Sequence, residues 1–424
     1  MRIAIIGGGV AGLVCAHMLH CDHELVVFEA SEEAGGHANT VHVETDTGAY
    51  DLDTGFIVFN DRNYPRFERL LDELGVPAQP SQMSFGVSDG VDFEYNGASP
   101  NGLFASRRHL VTPSFHRMIA DLARFNRDAR RLLTSEENPS LGEWLAQRRY
   151  SRVFVERLIV PQASAVWSAD PAQMWSFPAR FLVGFFDNHG MLGFRDRPRW
   201  RTIAGGSRNY IEALTRPWRE RLRLCTPVTK VARHPSHVVV SARGHEPERF
   251  DAVVIATHSD QALALLADPS ERERELLGAI PYQRNEAVLH TDRSLLPRRR
   301  RAWASWNYHL GVKADDGPPA AGRCTVTYHL NRLQSLRAGR EFCVTLNRTA
   351  AIDPEQIIRT MQYAHPVYTP ASVAAQARHQ EISGRNRTHY CGAYWGSGFH
   401  EDGVSSAQRV VRELGAREAQ PVSS

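Results

Sequence analysis

The stretch RIAIIGGGVAG, Arg2 to Gly12, decides the fold. Arg2 to Ile6 reads as a buried strand, Gly7, Gly9 and Gly12 follow with G-x-G-x-x-G spacing, and a helix is predicted from Val10 to His20. A second apolar run, HELVVFEA, ends on Glu29, seventeen positions past Gly12. Strand, glycine turn, helix, strand and acid make one βαβ unit, the context a dinucleotide fingerprint requires. Gly7 permits the tight turn, Gly9 lets the backbone approach a pyrophosphate, and Gly12 lets the helix lie close on the strand. The helix start offers unpaired N–H groups and partial positive charge to phosphates, while Glu29 can accept the hydroxyl protons of a ribose. A glycine-rich turn in an ordinary α/β protein is the bland alternative, and the flanking strands and the acid weigh against it.

At 424 residues the chain exceeds what one core usually serves. Its 42% hydrophobic and 23% charged residues are those of a globular protein, and a net charge of +3 argues against nucleic acid as a partner. The cations are nearly all arginine; Lys230 and Lys313 are the only lysines, so any chemistry needing a lysine has two candidates. Six scattered cysteines without a C-x-x-C pair predict free thiols and a cytoplasmic location. The apolar N-terminal stretch is broken by glycines and accounted for by the first strand and helix, which argues against a secretory signal. No run approaches the roughly 18 apolar residues of a membrane span.

Outward from the opening unit, TVHVETDTGAYDLDTGFIVFN alternates as a hairpin and a return strand, and the chain from Asp61 to Arg149 reads as helical. SRVFVERLIVPQASAVW continues the helical pattern into the aromatic FPARFLVGFFDNHGMLGF. Strands return at TPVTKVARH, HVVVSARG and FDAVVIAT, and AVLHTD, RCTVTYHLNR and EFCVTLNR suit an antiparallel sheet. The close is a turn-rich segment running into a helix, with a polar tail from Gly415 to Ser424 expected to fray. Nucleotide-type pieces thus recur at the start, middle and end. The expected division is a discontinuous Rossmann-type domain from residues 1–60, 201–258 and 380–424, and an inserted α+β substrate domain from residues 61–200 and 259–379.

GGGVAG, Glu29, AGGH, LDTGF, IAGGSRNYIEAL, TPVTKV, VVIAT and YWGSGFHEDGVSSA together resemble the flavin-containing amine oxidase and phytoene desaturase superfamily. DTGFIVFNDRNYP with DRPRWRTIAGGSR and HPVYTP is more narrowly similar to a bacterial branch of predicted FAD-binding proteins. Members of that branch are often encoded beside cyclopropane-fatty-acid-synthase-like methyltransferases, which hints at lipid acyl chains. The resemblance implies FAD as cofactor. It places the pyrophosphate on Gly7, Gly9, Val10, Ala11 and Gly12, and the adenosine ribose on Glu29 with Ala30 beside it. Gly35, Gly36 and His37 would line the phosphate and ribityl chain, Thr54, Gly55 and Phe56 would pass near the flavin ring, and Val228 would meet the adenine. Gly398, Phe399, Asp402, Gly403 and Val404 would present a helix start to the ribityl and pyrimidine end, where reduction adds negative charge.

Three departures stand out. His37 replaces the usual arginine, so a phosphate contact there is weak or pH-dependent. Asp402 occupies a position often glycine, where its carboxylate opposes a reduced flavin unless it turns outward as a cap. The lysine that holds a water near the flavin in amine oxidases is replaced, within YQRNEAVLHTD, by Asn285 or Glu286. Tyr368, Phe399 and Trp395 are the candidate catalytic-site rings, with ordinary buried aromatics as the alternative. His400 and Glu401 read better as capping groups than as an acid/base pair. No His/Cys cluster suggests a metal. LLPRRRRAWASW (Leu295 to Trp306) carries the arginine and tryptophan signature of a peripheral membrane contact, or is a solvated basic loop; with FLVGFFDNHGMLGF it could form the mouth of an apolar tunnel. The expected function is hydride transfer from an apolar substrate, a lipid acyl chain, to FAD. Amine oxidation and a non-redox binding or isomerising flavoprotein are the alternatives. The sequence sets no oligomeric state.

Overall fold

The structure is a computed structural model that describes residues 1–193, 197–311 and 322–415. Lys313, Phe194 at the end of the aromatic segment, and the tail beyond Gly415 lie outside the described residues.

A five-stranded parallel sheet has the order Leu222–Arg223, Glu24–Phe28, Arg2–Ile6, Ala252–Ile255 and Thr388–Tyr390. Ile3, Ile5, Val27, Val253 and Val254 are all fully covered, as befits near-continuous apolar strands sandwiched on both faces. On one face lie the helices Val10–Leu19 and His400–Glu413, which pack on each other. On the other lies the antiparallel sheet Val228–Arg233, Val238–Ala242 and Glu248–Phe250. A buried ion pair ties these layers: Arg233 donates to Glu273 at 2.5 Å, and the Tyr390 hydroxyl donates to the same carboxylate at 2.6 Å. Burial alone would raise the Glu273 carboxyl; the hydrogen bonds from Arg233, Tyr390 and Ser270 outweigh it and bring it down to about 2.

The expected antiparallel sheet is present and larger than the sequence suggests. Its seven strands run Ile357–Pro366, Tyr282–His290, Cys343–Leu346, Val326–His329, Trp306–His309, Phe85–Ser88 and Glu94–Asn96. The last two are a correction, because the region from Asp61 to Arg149 reads as helical yet contributes a hairpin. The Asp89 carboxylate accepts the N–H groups of Val91, Asp92 and Phe93 and so closes that turn locally. Phe85–Ser88 then pairs in parallel with Trp306–His309, more than two hundred residues away.

Helices cover one face of this sheet. Pro113–Thr134 packs against a helix that begins at Arg152, passes through a π turn at Val155–Ile159, and continues to Trp167. The π turn has a local cause. Pro161 has no N–H to give the Arg157 carbonyl one turn back, and that carbonyl instead accepts the Tyr95 hydroxyl at 2.9 Å.

Candidate active site

A cavity of about 1550 Å³ lies at the carboxyl ends of the parallel strands and runs on beneath the seven-stranded sheet. Typical ligand pockets hold about 300–1,000 Å³. The space therefore suits a dinucleotide and a second molecule.

The end nearest the parallel sheet is built from main chain. Gly7, Gly9, Val10, Ala11, Glu29 and Ala30 line it, as do Gly35, Gly36 and His37. Gly7 has φ +109°, and a Cβ there would come within 2.8 Å of the Ala256 carbonyl. A Cβ on Gly12 would sit 2.1 Å from the Gly7 carbonyl, so Gly12 acts by close helix packing and does not itself line the cavity. Gly9 differs: a Cβ there meets nothing within 4 Å, only open cavity. The helix Val10–Leu19 starts without a side-chain cap, which leaves its first N–H groups facing that space. Glu29 accepts the Gly8 N–H at 2.6 Å and the Ser31 N–H at 2.8 Å, which fixes its carboxylate at the second strand's end with lone pairs to spare. Val228 lines the same end.

A second helix start faces this region. Gly398, Phe399 and Gly403 line the cavity, and a Cβ on Gly403 would approach Val10 Cγ1 at 3.7 Å and the Ala11 nitrogen at 3.8 Å. Two positive helix ends thus converge on one volume, which is what a pyrophosphate needs. Asp402 turns away from it. Its Oδ2 accepts the Phe399 N–H at 2.9 Å, burial raises its carboxyl to about 6, and neither it nor Val404 lines the cavity. Glu401 accepts the Arg66 and Phe67 N–H groups at 3.0 Å and so caps the helix Pro65–Leu74. His400 stacks on Phe67 at 4.3 Å, with burial pushing it down to about 3. Both are structural.

Thr54, Gly55 and Phe56 line the middle of the cavity, where the Thr54 hydroxyl lies 2.8 Å from the Tyr363 hydroxyl. The His37 ring lies here with its centre 5.9 Å from that of His258 and 5.6 Å from that of His365. Burial first, then the neighbouring His365 and His258, lowers His37 to about 3, so its imidazole is neutral at pH 7. Of the candidate catalytic rings, only Phe399 lines the cavity. Tyr368 lies behind the wall, stacked on Phe181 at 5.1 Å, where its hydroxyl would be 2.8 Å from a Cβ on Gly398. Trp395 packs edge-on against His379 at 4.6 Å, away from the cavity.

Sequence reasoning missed other rings that line the space, among them Trp167, Tyr363 and His365. His365 is the most constrained. Asn285 donates to the Ser168 carbonyl at 3.0 Å and accepts the Asn347 amide at 2.8 Å. Asn347 is itself oriented by donating to the Cys324 carbonyl at 2.8 Å and accepting the Glu286 N–H at 3.0 Å. Backbone groups therefore set each amide, and the Asn285 NH₂ is what lies 2.9 Å from His365 Nδ1. Nδ1 must accept, which puts the imidazole proton on Nε2. Burial, reinforced by His258, lowers His365 to about 4. The cavity wall thus carries an uncharged N–H donor of fixed tautomer.

Beyond this point the cavity is mostly apolar. Leu122 lies one helical turn before Asn126, and Leu158 aligns with Gln162 and Val166; opposite them stand Phe85, Trp306, Tyr328 and Leu346 from the sheet. Arg298 to Arg301 do not line it, whereas Phe185 of the aromatic segment does. All six cysteines are free thiols. Among the described residues no group of three or more metal-ligating side chains is gathered, and no helix is long and apolar enough to cross a membrane.

The uncapped start of Val10–Leu19, the open space before Gly9 and the tethered Glu29 fit FAD. A sequence profile for flavin-containing amine oxidoreductases matches residues 10–324. No curated protein matches the chain. Among solved structures, cyclohexylamine oxidase from Brevibacterium oxydans IH-35A has a TM-score of 0.70 at 16% identity, over 98% of this chain and 99% of that one. Putrescine oxidase bound to putrescine has a TM-score of 0.65 at 13% identity, over 98% and 100%. A CLA-producing fatty acid isomerase from P. acnes has a TM-score of 0.68 at 15% identity, over 97% and 98%. The chain belongs to the flavin-containing amine oxidoreductase family, and it is a flavin-dependent oxidoreductase with FAD as its cofactor.

Proposed function

We propose that the protein oxidises an apolar substrate, the acyl chain of a lipid. The observation that carries this reading is the charge of the cavity wall. Among the described residues the only acidic side chains lining it are Glu29, engaged at the parallel-sheet end, and Asp61, which accepts the Arg199 N–H at 2.9 Å. The apolar half beyond His365 offers no carboxylate to an ammonium ion, and burying an unpaired cation there is costly. Its Leu, Val, Phe, Tyr and Trp walls suit an alkyl chain, and the neutral amides of Asn126 and Gln162 suit an uncharged oxygen.

Flavin, when bound, would supply the two-electron acceptor for oxidation of the substrate's C–H bond. The chain's own part is to hold the cofactor on residues 1–60, 201–258 and 380–424, and to exclude water around the substrate with residues 61–200 and 259–379. His365 Nε2–H adds a neutral donor at the junction of the two. Gly35, Gly36, Thr54, Gly55, Phe56, Gly398 and Phe399 are the remaining wall we assign to the cofactor.

Anaerobic mixing of the holoenzyme with fatty acids and phospholipids, and separately with putrescine and benzylamine, tests this. Bleaching of the flavin by acyl chains supports the proposal, and bleaching by amines alone overturns it. A second reading, isomerisation without net oxidation, draws support from the likeness to the fatty acid isomerase. It predicts altered double-bond position with the flavin still oxidised at the end of the reaction.

A further inference from the structure

The arginine run Arg298 to Arg301 has no role in the cavity, yet its surroundings are distinctive. Glu94, fully buried, accepts the N–H of Arg298 at 2.6 Å and of Arg299 at 3.1 Å, which ties the run to the strand Glu94–Asn96. Asp92, in the turn before that strand, pairs with Arg299 at 3.7 Å and with Arg108 at 2.6 Å. Three surface turns are thereby joined: Asp89 to Asp92, the short helix Arg107–Val111, and the arginine run.

Two of these turns carry large apolar side chains in water. Val91 is 61% exposed, Leu110 52% and Val111 82%, three of the six large apolar side chains exposed among the described residues. The short helix is not loose, since His109 stacks on Phe115 at 4.0 Å and holds the tip outward. Arg107, Arg298 and Arg301 make no ion pair recorded among the described residues, while Arg299 and Arg108 are spent on Glu94 and Asp92. Apolar tips ringed by uncompensated arginines match an anionic bilayer, whose headgroups attract the cations while its acyl boundary takes the tips. Trp303 is not part of this contact, because its indole is half-buried and donates to the Pro297 carbonyl at 2.7 Å.

The surface also adjoins the cavity. Gly97 and Ala98, on the segment between Glu94–Asn96 and Arg107–Val111, are exposed and line it. We propose that Val91, Leu110 and Val111, with Arg107, Arg298 and Arg301, dock the protein on an anionic phospholipid bilayer and turn the Gly97–Ala98 end of the cavity toward it. Docking does not depend on what the enzyme oxidises. Passage of a bilayer acyl chain through that opening does rest on the acyl-chain reading.

The test is flotation of the holoenzyme with phosphatidylcholine vesicles, with and without phosphatidylglycerol. The native protein is expected to float with the anionic vesicles and to be released by salt. The triple variant Arg107→Gln, Arg298→Gln, Arg301→Gln should lose about a hundredfold in partition, at roughly fivefold for each arginine. The double variant Leu110→Ser, Val111→Ser should lose at least about tenfold. Both change only exposed side chains, so unaltered flavin absorbance certifies the fold. Failure of the native protein to float with anionic vesicles, equal flotation with phosphatidylcholine alone, or retained binding in both variants would each overturn the proposal. Flotation without oxidation of any lipid would keep the docking surface and remove the acyl-chain substrate.

Discussion

The two ends of the cavity are made differently. The end at the parallel sheet is a main-chain surface of glycines and helix starts, in which a side chain is mostly an obstruction. The end beneath the seven-stranded sheet is a side-chain surface, where rings and aliphatic groups from distant strands and helices meet. Main chain recognises what is constant, such as the phosphates of a cofactor; side chains can be exchanged to suit a substrate.

The sharpest way to break this contrast is at neighbouring glycines. Gly9→Val puts its side chain into open cavity, so the protein should fold with an unchanged apoprotein melting temperature and bind flavin about a hundredfold more weakly or worse, a loss of roughly 3 kcal/mol. Gly12→Val must instead displace the Gly7 carbonyl and should lower stability itself by about 1–3 kcal/mol. Flavin content and thermal melts separate the two, and full flavin in Gly9→Val would refute the main-chain cradle.

Stability of the cofactor end should hinge on Glu273. Glu273→Gln removes the buried counter-charge of Arg233, leaves it only the half-exposed Asp268, and should cost up to about 3–5 kcal/mol in urea unfolding. The pH dependence follows from the depressed carboxyl. With a folded value of about 2 against an ordinary 4.5, the contribution of Glu273 is complete above about pH 4.5 and is lost as the pH falls toward 2.

The junction of the two ends gives a subtler effect. Asn285→Asp places an acceptor opposite His365 Nδ1, moves the proton to that nitrogen and raises the imidazole from about 4 toward neutrality. Imidazole nitrogen NMR should report the change of tautomer, and the flavin spectrum should acquire an added pH dependence between about pH 5 and 7 beyond that of the native protein. The smallest change is expected at the side-chain end. Leu122→Ala or Leu158→Ala should alter relative kcat/KM among acyl-chain lengths by less than about tenfold while leaving flavin content intact.

Legibility in the sequence follows the same contrast. Gly7, Gly9, Gly12 and Glu29 are readable because the βαβ unit is contiguous and each glycine answers a local steric demand. The hairpin at Phe85 to Asn96 escaped because its stability comes from pairing with Trp306–His309 far along the chain, although the Asp89-Gly90 turn is a signal that a strand reading could have used. Tyr368 and Trp395 stand in recognisable motifs, yet motifs do not say which face of a wall a ring occupies. His365 was visible only as half of a His-Pro turn. Its significance depends on the Asn285 and Asn347 amides and the Ser168 carbonyl, brought together from three separate segments, which no local pattern reveals.

Pro161 has a consequence for how the pocket is aimed. Because its ring forces a widened turn just upstream, the helical segment carrying Phe154 into the core and the segment carrying Gln162 and Val166 into the cavity need not share one rotational phase. A one-residue deletion within Val155 to Ile159 would change the helical phase and swing Gln162 and Val166 sideways. Relatives that vary this turn would thereby reshape their pockets by rotation, without exchanging a single wall residue.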